Sequence, residues 1–196
     1  SHIWDLDGNE YVDIAMGFGV HFFGHQPAFI LTAVQEQLHL GGQLGPQSYL
    51  AGRVAGLIAE LTGVERVAFN NSGTEAVMTA LRLARTATGR NKVAIFAGSY
   101  HGHSDGTLAS AALDLRSGEA VPGAAGVTMA VVQDVLVLDG YGDPATLEVI
   151  KAHAHELAVV VVEPVQSRCP ELQPREFLHQ LRALTTALGI PLMFDE

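Results

Sequence analysis

Two rhythms of apolar residues divide this chain. Before residue 66 helical spacing dominates: Ile30, Val34 and Leu38 in "PAFILTAVQEQLHL" recur four apart, and Pro27 stands where a helix can begin. "SYLAGRVAGLIAEL" repeats that pattern. Ahead of both, Ile3 to Ala15 reads as two short strands around an Asp7-Gly8-Asn9 turn, because Asp-Gly supplies the positive φ that a hairpin needs. From Arg66 short apolar runs take over. "RVAFN" predicts a strand, "SGTEAVMTALRLARTATG" a helix closed by Gly89, and "KVAIFAG" a strand. Further on come the strand "VTMAVV", a helix from Pro144 to about His155, the strand "LAVVVVEP", a helix from Arg175 to Leu188 and the strand "IPLMFDE". The Gly-rich stretch from Gly118 to Gly126 predicts a loop. A run such as "VVVV", apolar on both faces, is how a strand reads when helices cover both sides. The pattern predicts an α/β fold with a mostly parallel sheet.

Composition narrows the class. With 196 residues and 48% hydrophobic content the chain can bury one good core, or one large and one small domain. A formal charge of -10 argues against nucleic acid or an anionic membrane surface as partner, since either needs clustered Lys and Arg. The single cysteine, Cys169, excludes an internal disulfide framework and suits a reducing compartment. No run of about 20 apolar residues and no leader pattern is present, so the expected location is cytoplasmic. Ser1 opens the chain inside a strand pattern and Glu196 closes it directly after an apolar run, so a piece of a longer protein is expected.

In open α/β sheets ligands gather beyond the carboxyl ends of the strands. That rule selects Ser72-Gly73-Thr74 after "RVAFN", Ser99-Tyr100-His101 after "KVAIFAG", Glu163 after "LAVVVV" and Asp195 after "PLMF". The free N–H groups at the start of the helix make the Ser72–Thr74 turn an anion site, and Gly73 lets a phosphate approach closely. The same residues also read as a capping box, Ser72 with Glu75, and the two readings are compatible. His101 and His103 pose a different question, because two histidines with Asp105 look like the start of a metal site. A zinc site needs three or four ligands, and this spacing alone does not supply them. Asp195 can be a salt-bridge partner, a metal ligand or a cofactor contact. An acid in a dry crevice is suited to keeping a proton on an aromatic nitrogen, as pyridoxal phosphate requires. Tyr100 then becomes an aromatic platform for the ring.

"FNNSGTEA", "YHGH", "VVVEPVQ" and "FDE", in that order and at these separations, resemble the class III aminotransferases of pyridoxal-phosphate fold type I. The opening "IWDLDGNEYVDIAMGFGVHFFGHQP" resembles the family's entry segment, so the resemblance covers the whole chain. It implies residues 1–45 as an N-terminal segment and 46–196 as part of the large cofactor-binding domain. It also implies pyridoxal 5'-phosphate as cofactor, an amino donor and a keto or aldehyde acceptor, and a homodimer. By motif, Ser72, Gly73 and Thr74 bind the cofactor phosphate. Tyr100 stacks on the ring, with His101 and Gly102 shaping that turn, and Asp195 pairs with the ring nitrogen. Glu163 lines the site, where in some relatives it pairs with an arginine that admits a substrate carboxylate. Ser167 stands where many members carry glycine. The stretch "VEPVQSRCPELQPREFLHQLRALT" further resembles aminotransferase domains of polyketide and nonribosomal peptide synthetases, relatives of glutamate-1-semialdehyde aminomutase. That narrower likeness implies an acceptor on an acyl carrier protein, with an aminomutase as the alternative.

Transamination needs a lysine that forms a Schiff base with the cofactor and shuttles the proton. Lys92 and Lys151 are the only lysines, and both read as solvated surface residues. The resemblance puts the catalytic lysine beyond Glu196. Two readings from other classes stand beside this one: a metal hydrolase built on His101, His103, Asp105 and Asp195, and a non-catalytic scaffold. The remaining histidines are scattered, and Cys169 has no evident base partner.

Overall fold

The computed structural model describes residues 1–42, 48–112 and 119–196. Its chain contacts divide it into two compact units, Ser1–Ala68 and Phe69–Glu196. The boundary expected at 45/46 falls outside the described residues.

The first unit opens with a two-stranded antiparallel hairpin, β1 (His2–Trp4) and β2 (Glu10–Val12). Asp5 organises its turn. The carboxylate accepts from the amides of Asp7 and Asn9, from Asn9 Nδ2 and from the Tyr11 hydroxyl, all at 2.9–3.0 Å. Those donors, the Asn9 side chain and amide foremost, lower its pKa to about 2. Two helices follow, α1 (Ala28–Leu40) and α2 (Tyr49–Thr62), close to where their periodicity predicts them. Among the described residues of this unit, none is buried.

The second unit is a parallel sheet between two helical layers. Its strands are β3 (Lys92–Phe96), β6 (Val135–Leu138), β7 (Leu157–Val162) and β8 (Leu192–Phe194), in the order β6-β3-β7-β8. Alternation along each strand explains the apolar runs. Val93, Ile95, Val135, Val137, Val159 and Val161 face one way and pack on Val77, Leu81 and Ala84 of α3 (Gly73–Thr88). Ala94, Phe96, Leu136, Leu138, Val160 and Val162 face the other. They meet Ile150 of α5 (Ala145–Ala152) and Phe177 and Leu181 of α6 (Arg175–Leu188). A strand with both faces covered has no solvent side to keep polar, so all six residues of β7 are buried.

Three expectations are corrected. "RVAFN" forms no ladder among the described residues: strand composition alone does not place a run in a sheet. "VTMAVV" is not a strand; Met129–Val132 forms a short helix, α4, and the strand is the following "VLVL" of β6. The run 120–126, expected as loop, contains β5 (Ala120–Pro122), which pairs antiparallel with β4 (Ala109–Ala111).

Candidate cofactor site

Helix α3 starts from its own side chains. Ser72 is the N-cap, and its Oγ accepts from the Glu75 amide at 3.3 Å. The Glu75 carboxylate reaches back to the Asn71 amide at 2.7 Å. The capping box is therefore formed, and it consumes only part of what the turn offers. An α-helix leaves its first N–H groups without intrahelical acceptors, and the amides of Gly73 and Thr74 stand at that end. Both residues line a cavity of about 230 Å³, together with Ser72, Val77, Tyr100, His101, Gly102 and Asp195.

The second wall is the loop after β3. Gly102 has φ +85°, and a Cβ there would come within 2.5 Å of Thr74 Oγ1. Only glycine satisfies both the backbone angle and the approach. Thr74 Oγ1 in turn accepts from the His103 amide at 3.1 Å, which fastens this loop to the start of α3. Tyr100 is 43% exposed, its ring set edge-on to His103 with centroids 6.1 Å apart.

The third wall comes from the end of β8. The Asp195 amide donates to the Val162 carbonyl at 3.0 Å, carrying the β7–β8 pairing one step past the strands. Its Oδ2 lies 2.7 Å from His101 Nδ1. An ionised carboxylate only accepts, so Nδ1 carries the proton of that bond. His101 is 3% exposed, and its Nε2 is sealed from solvent with no partner among the described residues. A buried ring nitrogen without a partner costs free energy of order 1–3 kcal/mol.

The structure thus brings together Ser72, Gly73, Thr74, Tyr100, His101, Gly102 and Asp195, whereas Ser99 is turned back to the Phe96 carbonyl and does not line the cavity. Glu163 is set apart. It is buried and does not line the cavity; its oxygens accept from the Tyr100 amide at 2.9 Å and the Ser167 amide at 3.2 Å. Gln166 is a residue that sequence reasoning missed. Buried at the same level, it donates from Nε2 to the Ala97 carbonyl at 3.1 Å. Its place in "VEPVQS", beside the strand end, was the available signal.

Both lysines lie outside the cavity lining. Lys92 pairs with Glu156 at 2.8 Å, and Lys151 lies 3.7 Å from Glu148. Among the described residues no three His, Cys, Asp or Glu side chains converge as metal ligands would. The metal reading loses its donor set, because Asp195 is turned to His101 within a two-residue pair.

A family model, Aminotransferase class-III, matches residues 1–196, and the chain belongs to that family. The glutamate-1-semialdehyde 2,1-aminomutase of Aquifex aeolicus (strain VF5) is 41% identical over 99% of this chain and 46% of its own length. Among solved structures, an omega-transaminase from Sphaerobacter thermophilus superposes with a TM-score of 0.91 at 34% identity, over 98% of this chain and 46% of that one. A transaminase with PLP (pyridoxal phosphate) bound gives 0.86 at 31% identity, over 97% and 45%. The α/β sheet described above is therefore part of the fold type I transaminase architecture. The chain spans about half the length of the relatives it matches.

Proposed function

We propose that this chain supplies the pyridoxal 5'-phosphate cradle of an enzyme that moves amino groups between an amino donor and a keto or aldehyde acceptor. One observation carries the reading. A single cavity has a helix N-terminus with free amides on one wall, an aromatic side chain on the second and an aspartate on the third. Those are the three groups that a phosphate, a flat ring and a basic ring nitrogen require.

In this reading the Gly73 and Thr74 amides and the Ser72 and Thr74 hydroxyls hold the phosphate. Tyr100 covers the ring. Asp195 keeps its second oxygen, Oδ1, for the ring nitrogen while Oδ2 is held by His101. The bound cofactor supplies an electron sink for a substrate carbanion. Asp195 maintains that capacity by holding a proton at the ring nitrogen, and the dry surroundings strengthen its pull. Gly102 and Thr74 keep the two phosphate-side loops in contact and exclude water from between them. The lysine that bonds the cofactor is neither Lys92, half-buried and paired with Glu156, nor Lys151, exposed beside Glu148.

The amino-shifting variant of this chemistry is favoured by the 41% identity to an aminomutase. An acceptor on an acyl carrier protein, as in polyketide or nonribosomal peptide assembly, rests on the sequence of 162–185 alone. A homodimer is supported by the uncovered apolar surface of the first unit, where Trp4, Phe22 and Phe23 are 62%, 80% and 65% exposed. The test is direct. The full-length protein should purify yellow and lose its visible band on borohydride reduction. A colourless protein that takes up zinc in a fixed ratio would end the reading.

A further inference from the structure

Two bonds join the segment after β7 to the loop after β3, and a third braces that segment itself. Glu163 Oε2 accepts from the Tyr100 amide at 2.9 Å, and Glu163 Oε1 accepts from the Ser167 amide at 3.2 Å. Gln166 Nε2 donates to the Ala97 carbonyl at 3.1 Å. A fourth bond, from the Tyr141 hydroxyl to the Pro164 carbonyl at 2.7 Å, ties the same segment to the turn after β6. Glu163 and Gln166 are both buried, so water offers these groups little competition. Within the loop Ser99 bonds back to the Phe96 carbonyl through its amide and hydroxyl, and further along the His103 amide and the His101 ring tie it to Thr74 and Asp195.

We infer that residues 163–167 form a splint that sets the aromatic platform, with Glu163 and Gln166 as positioning residues acting on the cofactor through Tyr100. This rests on the cofactor reading above. It gives Glu163 a different task from the one its motif implies, because both its oxygens accept amides within the splinted loops and the residue does not line the cavity. Its negative charge is felt nearby: burial first, and then Glu163, push the Tyr141 hydroxyl up to about 12.

The geometry makes a sharp demand on chemistry. Two amides point at one carboxylate, so position 163 needs two acceptors and no donor. A glutamine has one acceptor oxygen, and its NH2 would be set against an N–H. In the full-length protein, Glu163→Gln should weaken PLP binding about tenfold. It should also reduce the visible circular dichroism of the bound cofactor. In a Tyr100→Ala background the same change should add less than about twofold, because the ring it positions is gone.

An undiminished effect in that background overturns the splint. So does unchanged cofactor affinity with a raised KM confined to carboxylate substrates, which would make Glu163 a substrate-facing group. Amide hydrogen exchange on the cofactor-free protein separates this inference from the one it rests on. Tyr100 and Ser167 amides should exchange faster in Glu163→Gln than in wild type, whether or not PLP binds. Unaltered exchange at both overturns the splint, whereas wild-type protein that fails to bind PLP overturns only the cofactor reading. Should Glu163→Gln not fold, Gln166→Leu removes the Ala97 bond alone. A smaller loss of affinity with faster Tyr100 exchange is expected, and none of either would sink the idea.

Discussion

The helices of residues 1–68 and those of 69–196 are built from similar apolar spacing and meet different fates. In α1, Ile30, Leu31, Val34 and Leu38 are 41–66% exposed. In α6, Phe177 and Leu181 are 3% and 0% exposed against the sheet. Periodicity determines that a helix forms and which face is apolar. What covers that face is decided elsewhere in sequence, here by β3, β6 and β7. The second unit is thus a finished packing problem, and the first presents a surface.

The largest contrast should come from turnover. The candidate cavity is lined entirely from the second unit, so Asp195→Asn, which keeps shape and removes charge, should lower kcat of the full-length enzyme by several orders of magnitude. Asp5→Ala, which dismantles the first unit's hairpin turn, should leave it near wild type. Near-normal turnover in Asp195→Asn would remove that residue from the ring nitrogen.

Next is packing. Leu181→Ala should cost about 2–5 kcal/mol in denaturant unfolding, because a filled site becomes a cavity. Leu38→Ala should change stability by less than about 0.5 kcal/mol if its face stays wet. A cost at Leu38 as large as at Leu181 would show that a second copy or another segment covers α1 in the assembled protein.

Two glycines with almost the same backbone angle give a finer comparison. Gly8 has φ +83° with nothing within 4 Å of a built Cβ, while Gly102 has φ +85° with Thr74 in the way. Gly8→Ala should cost about 1 kcal/mol in a thermal melt, the backbone strain alone. Gly102→Ala should cost clearly more and also weaken cofactor binding. Equal costs would mean that Thr74 yields freely.

The smallest effect concerns two surface acids. Asp5 and Glu156 are each lowered to about 2, the first mainly by Asn9 within its own turn, the second by hydrogen bonds from Lys92 and then His153. Both folded values lie below the unfolded ones. Their stabilising contributions are therefore present above about pH 4 and are lost as pH falls toward 2. In carbon-detected NMR titrations, raising salt should move Glu156 upward and leave Asp5 nearly in place, because screening weakens an ion pair more than local amide bonds. A shift of Asp5 as large as that of Glu156 would contradict this assignment of causes.

Much of the fold was legible. The apolar-on-both-faces run of β7 and the caps of α3 state their roles locally, and α6 spans the residues its pattern predicted. What misled was short apolar runs. "VTMAVV" and "VLVL" have the same character, and only the second lies in register with Val93–Phe96. "RVAFN" has strand composition and pairs with no strand among the described residues. At the site, strand-end positions were readable because each follows a visible strand. The His101–Asp195 bond was not, since it joins residues 94 apart, and neither was the inward turn of Glu163. Pairings of that kind are properties of topology, which local pattern does not encode.

The strand order also carries a consequence for how the chain is made. β3 sits between β6 and β7, with Val93 opposite Val135 on one side and Val159 on the other. During synthesis at about 5–20 residues per second, β3 leaves the ribosome several seconds before either neighbour exists. For that interval a strand apolar on both faces has nothing to pair with. Nascent chains halted once β3 has emerged should therefore recruit a holdase, and those halted after β7 has emerged should release it.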